Sequence, residues 1–189
     1  ILGIAVVSVS MAHLAGIAES FAPQLNMHVS QDVHTTVVST NDAPEAAHVP
    51  SFISIKKVQI HLPVVSVPLV NNTWQVNEGV ANYAEGTNYV SDKKGNVGIF
   101  AHDKTNGFTR IKSLALGDTI EVETNDGYIA IYTIVSKYDT IPSNVKVFYP
   151  TERPSLTLVT CNGVFSDKRN VVRGELVSIN KGKNYEYHY

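Results

Sequence analysis

The stretch Ser155-Leu156-Thr157-Leu158-Val159-Thr160-Cys161 decides how the rest of this sequence is read. Its β-branched and apolar residues predict a strand over 155–160, and the strand ends on the only cysteine of the chain. A strand holds its backbone firmly and delivers its last residue to the end of a sheet, a good position for a reactive side chain. One cysteine cannot close an internal disulfide or anchor a multi-cysteine zinc site. Cys161 is therefore either a buried small hydrophobe or a reactive thiol.

Outward from that strand, short Val/Ile-rich runs bounded by turn residues recur along the chain. They predict strands over 54–60, 63–68, 96–101, 119–124, 128–138 and 170–180, with Asn125-Asp126-Gly127 as the hairpin turn between two of them. Short helices are predicted near 79–84 and 108–114. About seven or eight strands at this spacing predict a mainly β fold, a closed antiparallel or mixed barrel with short helical pieces. Nine tyrosines fit the β composition. The charge is nearly balanced, 15 basic against 17 acidic residues, which excludes a nucleic-acid partner recruited by basic charge and leaves no acidic tail.

The 189 residues exceed what one such domain needs. Residues 1–18 carry no charge and are mostly apolar, about the length of a membrane-spanning helix. Residues 31–50 are polar, with two prolines and no periodicity. The expected organisation is a transmembrane anchor over 1–21, which is allowed a start upstream of Ile1, then an extracytoplasmic tether over 22–50, a catalytic domain over 51–182 and a tail over 183–189. A cleaved signal peptide would equally export the domain. His28, His34 and His48 are expected to be solvated tether residues, because no second ligand recurs at a fixed spacing. His61 is expected to be half-buried packing.

Three residues carry possible chemistry. His102 follows the apolar run Val97 to Ala101, Cys161 ends its strand, and Arg169 opens the last strand. A thiol attacks a peptide carbonyl only as thiolate, and a neighbouring imidazolium favours that form and can protonate the departing amine. A guanidinium is always charged and presents a fixed fork of donors to a developing oxyanion. Such a set needs no metal and no cofactor, and no acidic cluster is dense enough to propose calcium. Singly, each residue has a plainer explanation: His102 beside Asp103 as a turn, Arg169 within Ser166-Asp167-Lys168-Arg169 as a solvated turn.

Together they follow a known pattern. Thr157-Leu158-Val159-Thr160-Cys161 resembles the Thr-Leu-x-Thr-Cys signature of sortases. Arg169-Asn170-Val171-Val172-Arg173-Gly174 is similar to the family's arginine and following strand, and Gly95-Asn96-Val97-Gly98-Ile99-Phe100-Ala101-His102 to its strand ending in the catalytic histidine. Trp74-Gln75-Val76, Ala81-Asn82-Tyr83 and Gly117-Asp118-Thr119-Ile120 follow in the family's order. The resemblance implies an eight-stranded sortase-type closed barrel behind a membrane anchor, a cysteine transpeptidase at the cell membrane with its domain outside. It implies that Cys161 cleaves an LPxTG-like sorting signal of secreted proteins through a thioacyl-enzyme. It implies transfer to an amine acceptor, of a cell-wall precursor or another protein. His102 would be the general acid/base and Arg169 the clamp, with Ala101, Thr160 and Asn162 at the substrate and 140–154 forming the groove. Arg173 is a rival clamp, expected instead to be a surface or packing residue. The family has Gly where this chain has Ala101, a methyl expected to narrow the cleft or tilt His102.

Two other readings stay open: a peptidase or carboxypeptidase on the same barrel that releases to water, and a non-catalytic surface β-module. The module predicts His102 and Cys161 on unrelated faces. The Leu-Val-Thr before Cys161 differs from the Ser-His-Gly-Cys context of L,D-transpeptidases.

Overall fold

Strand-forming runs become a closed surface when their hydrogen-bonding edges are all used up by neighbours. The structure, a computed structural model, describes residues 47–163 and 167–182. Its strands are β1 (Pro50–Ile55), β2 (Ile60–Val67), β3 (Leu69–Val70), β4 (Thr73–Trp74), β5 (Ala81–Ala84), β6 (Gly95–Phe100), β7 (Thr119–Thr124), β8 (Tyr128–Thr140), β9 (Pro154–Asn162) and β10 (Lys168–Lys181). Eight of them close a barrel in the order β1-β2-β5-β6-β9-β10-β8-β7, and β3 and β4 form a separate small hairpin. Most pairs are antiparallel, but β2–β5 and β6–β9 are parallel, so the barrel is mixed. Three single 3-10 turns, Lys56–Val58, Thr109–Ser113 and Val145–Phe148, supply the helical pieces.

Alternation along each strand sorts the apolar residues into two cores. Ile53, Ile120, Val122, Tyr132, Ile134, Leu156, Leu158 and Val172 point inward and fill the barrel with Val97 and Ile99. On β6, β9 and β10 the intervening residues Phe100, Val159 and Val171 point outward. They pack with Val67, Ala84 and Val147, and Trp74 and Phe148 lie against them. Strands β6 and β5 are therefore covered on both faces, and every residue in them is buried.

Three expectations change. The helix near 79–84 is strand β5, because both faces of the segment are packed and tertiary contacts outweigh alanine's helix propensity. The run 54–60 is broken by the Lys56–Val58 turn, where Gln59 takes a left-handed φ of 51°. His61 is exposed, with Nδ1 2.8 Å from Ser54 Oγ and its ring stacked on Phe52. The described residues also include the end of the expected tether. His48 Nδ1 lies 2.6 Å from Asp126 Oδ2, and Val49 O accepts from Asn125 N. The expected anchor and C-terminal tail lie outside the described residues. Among the described residues no helix is long and apolar enough to cross a membrane.

Carboxylates tie the connections to the barrel. The Lys57 ammonium and the Ala115 backbone N–H hold Asp118 below the usual carboxylate range. The Thr124 hydroxyl, with help from His48 and against some burial, does the same for Asp126. Burial raises the Asp103 pKa, but bonds from Lys112 and Thr109 outweigh it. Lowered folded-state values mean stability that is complete above the unfolded value and lost as pH falls through the folded one. The urea midpoint should therefore stay level from neutral pH to about pH 5 and fall below about pH 4, where unfolded carboxylates begin to bind protons. A midpoint that rises on acidification would contradict this assignment.

Gly98 is the position where the outer core is tightest. A Cβ there would stand 2.7 Å from Phe148 Cδ1 and 3.0 Å from Thr87 Cγ2. The Phe148 ring is wedged beside Trp74, 5.6 Å between centroids, and cannot yield freely. Gly98→Ala is expected to cost about 1–3 kcal/mol by overpacking, outweighing the chain-entropy gain of alanine. Urea unfolding at constant m measures it, and a neutral or stabilising substitution would show that the ring moves away.

Candidate active site

Register places the three chemical groups. Strand β9 lies between β6 and β10. On the β10 side the antiparallel ladder sets Arg169 directly opposite Cys161 and Val171 opposite Val159. On the β6 side the parallel ladder pairs Phe100 with Val159, and the Ala101 N–H continues it to Val159 O at 3.2 Å. Two steps along from the Phe100–Val159 pair, that register brings His102 beside Cys161. Residues two apart on a strand share a face, so Cys161 and Arg169 lie on the outer face with Val159 and Val171, and His102, two residues past the end of β6, lines the same cavity. Directly opposed residues have Cβ atoms about 4.5–5.5 Å apart, within reach of one peptide group.

The row opens into a cavity of about 490 Å³ lined by His102, Cys161 and Arg169 together with Trp74, Val76, Phe100, Val159, Pro142, Asn144, Val145, Val147 and Phe148. The cysteine and the histidine share one face, contrary to the prediction of the β-module reading. All three groups are partly exposed. Arg169 Nη1 donates to its neighbour Lys168 O at 3.0 Å. The cavity walls come from two connections. The β3–β4 hairpin turns through Asn71 and Asn72, both left-handed at φ 51° and 58°, as a tight two-residue turn requires. It carries Trp74, whose indole N–H donates to Glu85 O at 3.1 Å. The β8–β9 connection supplies Pro142 to Phe148, within the segment 140–154 expected to form the groove.

The remaining candidates fall into place differently. Thr160 is buried and its hydroxyl donates to Ala101 O at 3.0 Å, bracing the β9 end against the segment that carries His102. Ala101 lines the cavity, but its side chain belongs to the barrel interior. The methyl that departs from the family pattern thus faces the core, on the side of the strand away from His102. Asn162 does not line the cavity. Its amide donates to Asp139 Oδ2 at 2.8 Å, and Asp139 Oδ1 accepts from Asn170 at 2.9 Å, joining the ends of β8, β9 and β10 behind the row. Asp103 is bonded by Lys112. Arg173 lies four residues inward from Arg169 and lines no part of the cavity, where it binds Thr157 and Val147 O. The sequence marked Trp74 and Phe100 only as parts of longer motifs and Val147 and Phe148 only as part of 140–154, since nothing local marks an outward apolar residue as groove rather than core.

A model of the sortase domain family matches residues 53–177. Among solved structures, sortase E1 of Streptomyces coelicolor, determined with a tripeptide in its active site, superposes with a TM-score of 0.60 at 26% identity, covering 71% of this chain and 91% of that one. Sortase A of Listeria monocytogenes gives 0.59 at 23% identity over 73% and 92%. The Clostridium perfringens sortase D5 transpeptidase gives 0.56 at 24% over 69% and 79%. These two show the shared fold. No curated protein sequence matches. Barrel, family match and the row of cysteine, histidine and arginine agree: the chain belongs to the sortase family.

Proposed function

We propose that this sortase is a cysteine transpeptidase acting on an LPxTG-like sorting signal of secreted proteins. The observation that carries the reading is the shared outward row of His102, Cys161 and Arg169 at one end of a peptide-sized apolar groove. The Cys161 thiolate adds to the carbonyl carbon of the scissile Thr–Gly bond, forming a C–S bond. Arg169, directly across the ladder, donates to the carbonyl oxygen as negative charge gathers there. The C–N bond then breaks, and the His102 imidazolium gives its proton to the leaving amine. In the second half an acceptor amine attacks the thioester, its proton returns to His102, and the Cys161 thiolate departs. Water in place of the amine gives hydrolysis. The tripeptide held in the active site of the Streptomyces coelicolor enzyme supports a peptide as the occupant of this groove. The uncharged, apolar run over 1–18 supports a single-pass anchor in the cell membrane with the barrel outside, where signal and cell-wall amine would be met.

A fluorogenic LPxTG peptide should be cleaved by the wild-type chain, and Cys161→Ala should abolish turnover because no other thiol exists. Cleavage that survives the substitution would sink the mechanism. Diglycine or hydroxylamine should raise the rate and appear in the product. A rate indifferent to added amine, with only the free acid formed, would replace the transpeptidase by a peptidase.

Arg169→Ala should lower kcat/KM by about 10²–10³, the usual loss for an oxyanion donor. Iodoacetamide should still alkylate its Cys161 at close to the wild-type rate, since that reaction builds no oxyanion. An unchanged kcat/KM would remove Arg169 from the machinery.

A further inference from the structure

Four residues back along β9 and β10 from the catalytic row lie two more polar residues, Thr157 and Arg173, and they face the same way. Thr157 on β9 pairs with Gly98 on β6 and with Arg173 on β10. Arg173 Nε donates to Thr157 Oγ1 at 3.2 Å, and Thr157 Oγ1 donates to the Oδ1 of buried Asn96 at 2.8 Å. Both ends of this chain then hold the same piece of backbone. Arg173 Nη2 donates to Val147 O at 2.8 Å, and Asn96 Nδ2 donates to Val147 O at 3.0 Å and Tyr149 O at 3.1 Å. Thr157 and Asn96 are fully buried, so the bond between them and the one from Asn96 to Val147 O form away from competing water. A charge-assisted bond and two amide bonds converge on carbonyls that have no sheet partner of their own.

One carbonyl belongs to the turn Val145–Phe148 and the other to Tyr149, which follows it, and the turn's side chains Val145, Val147 and Phe148 form one wall of the cavity. Between the two polar rows lies the apolar row Phe100, Val159 and Val171. Four residues of strand span about 13 Å, a length that an extended peptide covers with about four residues.

We propose that Arg173 is a positioning residue for substrate. With Thr157 and Asn96 it fixes the Val145–Tyr149 backbone as the far wall of the groove, and so sets how a peptide's residues seat on the apolar floor before the thiol is reached. The proposal rests on the transpeptidase reading for the identity of the peptide, and it assigns Arg173 no contact with the reacting atoms.

Three variants test it: Arg173→Met, which keeps the stem and removes the fork; Arg173→Lys, which keeps one charged donor; and Thr157→Val, which removes the hydroxyl at the same shape. Arg173→Met should raise KM for the LPxTG peptide about tenfold, one charged-donor bond's worth. Its kcat and its rate of Cys161 alkylation by iodoacetamide should stay near wild type. Amide exchange over 145–149 should accelerate by a similar factor. Thr157→Val should move KM in the same direction by a smaller factor, and Arg173→Lys should recover most of the loss. An unmoved KM, unmoved exchange, or a parallel fall of kcat and alkylation would overturn the proposal. Where Arg173→Met does not fold, Thr157→Val decides, and failure of both to fold makes these residues part of the fold and overturns the groove role. A wild-type chain that cleaves no such peptide sinks the transpeptidase reading and the KM claim with it, while the exchange comparison still decides the anchor.

Discussion

The whole site depends on the register of three neighbouring strands. Cys161 stands on β9, Arg169 opposite it on β10, and His102 two residues past the end of β6, nearly sixty residues earlier in the chain. Because the side-chain period of a strand is two, a one-residue slip of β6 or β10 against β9 would turn its group toward the barrel and bring a neighbour outside in its place, Ala101 or Asp103 for His102 and Lys168 or Asn170 for Arg169. The barrel interior forbids that slip: Ile99 and Leu158 are fully buried inside, and Val172 sits beside them. The packing that stabilises the barrel is thus also what aligns thiol, imidazole and guanidinium.

Adjacent residues of one strand serve the two functions separately. Leu158 fills the barrel while Val159 forms the groove floor, and Thr160 braces the strand end while Cys161 presents its thiol to the cavity. The Asp139 carboxylate, gripping Asn162 and Asn170, closes the ends of β8, β9 and β10 immediately behind the catalytic row.

Much of this was legible in the sequence where local signals and tertiary outcome agree. Strand β7 occupies 119–124 as read, its hairpin to β8 turns at Asn125–Gly127, and β9 delivers Cys161 to its end. Strand β5 was misread because four residues buried on both faces show no alternation, and Ala81 and Ala84 favour helix locally. Its parallel partner β2 is a long-range fact without a local signature. His61 was misplaced for a related reason: its position after an apolar run does not say which face is outward. That His102, Cys161 and Arg169 would line one cavity was legible because these residues at or just past strand ends follow a family pattern. The second polar row was not, since Asn96, Thr157 and Arg173 acquire meaning only when three strands and a turn meet.

Closure of the barrel also constrains how a peptide can be held. Strand addition is the common way to bind an extended peptide, and it needs a free sheet edge. Here β1 pairs with both β2 and β7, so the barrel offers no such edge. The outer wall presents side chains alone, and its floor of Phe100 and Val159 offers no hydrogen bond. A peptide seated there must find partners for its own N–H and C=O groups in the connections above the wall or in Arg169, because an unpaired buried backbone group costs about as much as a lost hydrogen bond. Selectivity in this fold is therefore forced into the β8–β9 connection and the β3–β4 hairpin. A connection that carries selectivity has to be held to the barrel by something other than the sheet ladder, and bonds from side chains rooted in the strands beneath it are what the closed wall leaves available.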